Sequence, residues 1–143
     1  MSQRGKQEAN TLGNMGLLYK AKNDDETNLA YQEEALAIKR LIHDRSGIVT
    51  SLHNIAKIEK RRYNIERYLE LESEAWQLAQ ALGEPEALYY VGVELGRYLC
   101  DQGEIAVGLP MVKEAYAMGA KVGVPNLENL GMYIQIQEKR LGQ

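Results

Sequence analysis

The chain repeats itself every forty residues. Glu34-Ala35-Leu36 returns as Glu74-Ala75-Trp76 and again as Glu114-Ala115-Tyr116. Leu29, Leu69 and Leu109 fall on the same step, as do Ile38, Leu78 and Met118, then Ile42, Leu82 and Val122. The small residues Gly16, Ala56 and Gly96 align as well. A fixed period of this length describes a stack of like supersecondary units, each burying its apolar face against a neighbour.

Each unit reads as two helices. The first pair is expected over roughly 7–22 and 25–44, the second over 46–61 and 65–83, and the third over 86–102 and 105–122. A seventh helix is expected at about 126–141. Apolar residues recur at helical spacing, as in Leu69, Ala75, Trp76, Ala79 and Leu82. Trp76 aligns with Leu36 and Tyr116 and reads as core. Asn23, Gly83, Gly103 and Gly123 stand where a chain turns left-handed to leave a helix. Pro85 and Pro125 follow closely, at helix starts that need no N–H. Gly13 with Gly16, and Gly92 with Gly96, share a helix side and invite close backbone approach. Gly108-Leu109-Pro110 falls inside the sixth helix, which must start late or kink there.

The class is therefore all-α: three helix pairs and a C-terminal cap, in one domain spanning 1–143. The repeats are placed at about 8–45, 48–85 and 88–124. Leu127, Leu130, Ile134 and Leu141 should cover the third pair, while Gln135, Glu138 and Lys139 face water. The chain has 143 residues, enough for one continuous core. A net charge of −3 selects neither nucleic acid nor membrane, and no apolar run approaches the length of a span. The single cysteine, Cys100, cannot form an internal disulfide, and its apolar neighbours predict a buried thiol. The expected location is the cytoplasm.

Leu12-Gly13-Asn14-Met15-Gly16-Leu17-Leu18-Tyr19 resembles the first-helix motif of a tetratricopeptide repeat. Leu29, Tyr31, Ala35, Leu36 and Ile38 are similar to its second helix, and Leu52-His53-Asn54-Ile55-Ala56 repeats the first-helix motif. The resemblance covers about residues 8–123. The long step resembles the variety found in kinesin light chains and in spindle-orientation scaffolds that bind G-protein alpha subunits. Tyr63-Asn64 departs from the expected turn, and Asn28 stands where alanine is usual. The resemblance implies a right-handed superhelix, a TPR-like solenoid, whose inner wall is lined by the first helix of each pair and holds a peptide.

On that wall the expected contact residues are Asn14, Leu17 and Lys20 from the first helix and His53, Asn54, Lys57 and Arg61 from the third. Tyr90, Val93, Glu94 and Arg97 follow from the fifth. The resemblance gives Asn14 and Asn54 the role of holding a bound peptide's backbone, since an amide both donates and accepts. The cations point to an acidic partner segment with apolar anchors, which Leu17 and Val93 would meet.

Catalytic chemistry has little to stand on. His43 and His53 are ten residues apart on different helices, with no ligand cluster around them. His43-Asp44 beside Ser46 belongs to an exposed turn. The glycines match neither a phosphate loop nor a dinucleotide fingerprint, and no cofactor or metal is expected. The basic run from Lys57 to Arg67 is broken by Glu59 and Glu66, so no RNA partner is expected. The leading expectation is a protein-binding scaffold and not an enzyme. The alternative is a regulatory or sensor segment of a larger signalling or transcription-regulating protein.

Overall fold

A computed structural model describes residues 2–143. They form seven helices, packed in adjacent pairs, and no strand among the described residues. The helices are α1 (Ser2–Ala21), α2 (Asp25–Leu41), α3 (Arg45–Arg61), α4 (Ile65–Leu82), α5 (Pro85–Asp101), α6 (Ile105–Val122) and α7 (Leu127–Leu141). This is the all-α helical-repeat arrangement that the forty-residue step predicts. The chain gathers into two compact units, Met1–Leu78 and Ala79–Gln143.

The turns obey a stricter rule than the sequence shows. Asn23, His43, Tyr63, Gly83, Gly103 and Gly123 all have positive φ, and they stand twenty residues apart. Each of the first six helices therefore ends at a left-handed residue, and the turn before α7 adds a second at Asn126. Half of those helix ends lack the glycine that makes that conformation inexpensive. Next to them, Asp24 and Asp44 cap α2 and α3 by accepting from the backbone N–H of Thr27 and Gly47, each at 3.1 Å. Pro85 is the first residue of α5, as expected, whereas Pro125 lies in the turn before α7.

Burial follows the same period. In the second helices, Asn28, Tyr68 and Gly108 are buried, as are Gln32, Glu72 and Val112. Ala35, Ala75 and Ala115 are fully buried, and Lys39, Ala79 and Gly119 complete the stripe. The steps of four, three and four residues draw one continuous helix face. Leu36, Trp76 and Tyr116 sit one residue past its centre. Trp76 is half-buried and Tyr116 exposed, so the expectation of a core tryptophan is corrected.

Helix α6 starts at Ile105 and carries Pro110 in its interior, so it does not start late. The missing N–H leaves the Ala106 carbonyl without its helical donor, and both residues are exposed to water. The opposite side of α6 makes the tightest approach in the second unit. A Cβ on Gly108 would stand 2.5 Å from the Gly96 carbonyl oxygen and 2.9 Å from the Cys100 amide nitrogen. On Gly96 it would stand 3.0 Å from the Gly108 carbonyl oxygen. Glycine at both sites lets α5 and α6 meet backbone to backbone. Cys100, Ile105, Leu109, Val112, Leu130 and Ile134 form the core around this contact.

The seventh helix does cover the third pair, with one change of residue. Leu130 and Ile134 are buried and Leu127 partly so, but Leu141 is exposed. Gln137 takes the expected place of Leu141 in the buried stripe. Gln135, Glu138 and Lys139 face solvent, but so do Met132 and Ile136, which corrects the expectation of a polar outer face.

Candidate functional site

Five of the sequence-nominated residues meet in the first unit. Leu17 and Lys20 from α1 and Asn54, Lys57 and Arg61 from α3 line one hollow, with Ile58 beside them. Its floor is Asn28 and Gln32 of α2. The hollow measures about 20 Å³. That is little more than one water needs, so it cannot enclose a cofactor. It is a recess in a surface, suited to a side-chain tip or a main-chain group laid across it.

The floor explains an unusual residue. Asn28 and Gln32 are both buried, where apolar side chains would normally stand. Gln32 Nε2 donates to the Gly13 carbonyl at 3.1 Å and to Asn28 Oδ1 at 3.3 Å. A Cβ on Gly16 would lie 2.7 Å from Asn28 Oδ1 and 2.8 Å from Gln32 Nε2. Gly16 thus makes room for the amide pair, which offsets the loss of the usual alanine at position 28.

The rim is cationic, and one cation is already engaged. Arg61 grips Asp25 at the start of α2 with both ends of its fork, Nη2 to Oδ1 at 2.7 Å and Nε to Oδ2 at 3.2 Å. The Arg61 hydrogen bond holds the Asp25 carboxyl below its ordinary pKa, against a smaller opposing effect of burial. Lys20 and Lys57 complete the rim. Asn14, the other amide nominated on α1, is exposed but does not line the hollow.

His53 is turned elsewhere. Its Nδ1 lies 2.9 Å from one oxygen of the fully buried Glu72 on α4 and 3.2 Å from the other. Lys60 places its ammonium 5.4 Å from the ring centroid of Tyr68. At the α3–α4 turn, buried Glu59 draws in Arg62 at 3.3 Å, Arg67 at 3.1 Å and Asn64 at 3.0 Å. These are links between α3 and α4 inside the unit.

The α5 residues belong to the second unit. Tyr90 is exposed, and Glu94 is half-buried. Val93 and Arg97 line an open groove of about 410 Å³ with Tyr89, Met132, Tyr133 and Ile136. The Arg97 guanidinium lies 4.7 Å from the Tyr133 ring centroid. The Tyr133 hydroxyl donates to Asp101 Oδ1 at 2.9 Å. Burial and the Asp101 carboxylate both push that hydroxyl's pKa far up. Sequence reasoning missed Tyr133, although the forty-residue step places it under Val93.

Among the described residues no group of three or more His, Cys, Asp or Glu could hold a metal ion. None of the helices is long and apolar enough to cross a membrane. His43 sits at an exposed left-handed turn.

No curated protein matches the chain. A family model described as tetratricopeptide repeat matches residues 9–45, which hold most of α1 and all of α2. The first helix pair is thus similar to a repeat whose presence suggests interaction with other proteins.

Proposed function

We propose that the first unit is a docking surface for an acidic segment of a partner protein, held across the α1–α3 hollow. The convergence of Lys20, Lys57 and Arg61 on a floor of buried amides carries this reading. Nothing in core packing calls for three cations around one recess. A carboxylate laid there gains charge-assisted hydrogen bonds. Asn54 can take the segment's backbone as both donor and acceptor, and Leu17 offers an apolar contact for an anchor side chain. The repeat match over 9–45 supports a protein partner in general. In the second unit, Val93 and Arg97 offer a separate contact in the open groove that they line.

The test is a titration of labelled peptides, Asp/Glu-rich with spaced leucines, against their Lys-rich counterparts. The acidic set should bind and should weaken as salt rises. Lys57→Glu with Arg61→Glu should lower affinity by at least about tenfold with the helical spectrum unchanged. Arg97→Glu should have a lesser effect. Acidic peptides that bind the double variant as tightly as the parent would reject the site.

A further inference from the structure

Asn28 and Gln32, the floor of the α1–α3 hollow, are each only 2% exposed. Their orientation is fixed from within the unit. The Gly13 carbonyl can only accept, so it is met by Gln32 Nε2 and not by Oε1. The same nitrogen also donates to Asn28, which must then turn Oδ1 toward it. One nitrogen and one oxygen of the amide pair are engaged in this way, and one of each is left over. Asn28 Nδ2 and Gln32 Oε1 have no hydrogen-bond partner among the described residues. No fully buried side-chain nitrogen or oxygen among those residues goes without a partner, so both atoms reach the surface, at the hollow that the two residues line.

Packing alone does not call for amides here. The repeat puts Tyr68 and Gly108 at the register of Asn28, and Glu72 and Val112 at that of Gln32. A nearly buried amide with half of its hydrogen-bonding capacity open is costly until a ligand answers it.

We propose that the hollow selects a side-chain carboxamide, the tip of a glutamine or asparagine in the docked segment. This rests on the reading of the hollow as a docking surface and adds the side chain that it takes. A carboxamide oxygen accepts from Asn28 Nδ2 while its N–H donates to Gln32 Oε1. A carboxylate has no proton to give Gln32 Oε1 and would set oxygen against oxygen. A lysine tip offers no acceptor to Asn28 Nδ2 and meets the cations Lys20, Lys57 and Arg61 at the rim. Acidic residues therefore belong at the rim and the carboxamide at the floor. The recess of about 20 Å³ admits a tip and not a main chain with its substituents.

A grid of labelled peptides tests this, with flanks of Asp/Glu, Ser or Lys and with Gln, Glu or Met at the centre, each titrated against the whole chain. With acidic flanks, the Gln peptide should bind about tenfold more tightly than the Glu or Met peptide. Asn28→Ala removes the free donor and leaves Gln32 on the Gly13 carbonyl. It should abolish most of the Gln advantage, with the helical spectrum unchanged and the Glu peptide bound as before. A preference for acidic flanks without a preference for Gln overturns this inference and leaves the docking surface standing. A preference for Gln in every flank upholds the role of the floor and rejects the acidic partner. Equal binding of Gln and Met peptides, or a Gln advantage that survives Asn28→Ala, overturns the inference, and binding of no peptide rejects both readings.

Discussion

Asp25 and Arg61 close a bidentate ion pair over the rim of the α1–α3 hollow, with 2.7 Å between Arg61 Nη2 and Asp25 Oδ1. They are thirty-six residues apart, and the pair ties the start of α2 to the end of α3. Both side chains are partly exposed, so the pair contributes under about 1 kcal/mol to stability. Its larger consequence is for binding, because an incoming carboxylate must share Arg61 with Asp25.

Asp25→Asn should therefore strengthen the binding of acidic peptides by a few-fold while slightly lowering stability. The stability term has a definite sign. Arg61 depresses the folded-state pKa of Asp25 below its ordinary value of 3.8. The contribution is complete above that ordinary value and is lost as pH falls through the depressed one. Denaturant midpoints of parent and variant should differ at pH 6 and converge in strong acid. A variant with weaker peptide binding would show that Asp25 helps to form the site instead of competing for it.

Tyr63 holds a left-handed conformation, φ 62°, with 89% of its surface exposed. Its backbone strain is thus not offset by side-chain packing. The equivalent positions at Gly83, Gly103 and Gly123 show the residue that this turn favours. Tyr63→Gly should raise stability by about 0.5–1 kcal/mol, measured as a higher urea midpoint at unchanged slope. A lower midpoint would mean that the ring makes a contact in solution that offsets the strain.

The helix pairs and nearly all their boundaries were legible from the forty-residue step with Gly83, Gly103, Gly123 and Pro85 as stops. The turns at His43 and Tyr63 were legible too, but not their left-handed conformation, because no glycine or asparagine stands there to announce it. The buried polar residues were also hidden. Glu72 reads as a surface glutamate until His53 is seen against it, and Gln32 until Gly13 and Gly16 are seen to make room for it. A period marks which positions face inward, but not which polar residues find partners there. For the candidate site, spacing on single helices put Lys57 and Arg61 on one face, and the structure adds the floor from α2. The same spacing grouped His53 with them, yet its side chain swings to the neighbouring helix.

Lys39 and Ser51 are a second hidden pair. Lys39 is 6% exposed and donates to the fully buried Ser51 hydroxyl at 3.0 Å. Burial lowers the lysine's pKa, with Asp44 opposing the shift. The repeat places Ala79 and Gly119 at the lysine's position and Val91 at the serine's. Lys39→Met alone strands a buried hydroxyl and should cost about 1–2 kcal/mol. Adding Ser51→Val should recover most of that loss, since matched apolar residues replace a buried polar pair at little cost. The parent should also gain stability relative to the double variant as pH rises from the lowered pKa toward 10.5, because the unfolded lysine binds more protons over that range. Additive effects of the two substitutions in a thermodynamic cycle would show that the pair is not coupled.

Gly108 and Cys100 make the most demanding contact in the second unit. A Cβ at position 108 would lie 2.9 Å from the Cys100 sulfur and 2.5 Å from the Gly96 carbonyl oxygen. Side-chain rotation cannot relieve a clash with backbone, so α5 and α6 would have to separate. Gly108→Ala should destabilise by about 2–3 kcal/mol, although alanine favours the helix itself. The thiol gives an independent reading of the same contact. Cys100 is fully buried, and burial pushes its pKa up, so the native protein should react slowly with a thiol reagent at neutral pH. When reaction proceeds through opening of the helix pair, its rate follows the population of the open state. A loss of 2–3 kcal/mol should then speed labelling by roughly thirty- to two-hundredfold in native conditions. Fast labelling of the parent would show that the α5–α6 contact opens without unfolding. An unchanged rate in the variant would show that the helices accommodate a methyl group where backbone now meets backbone.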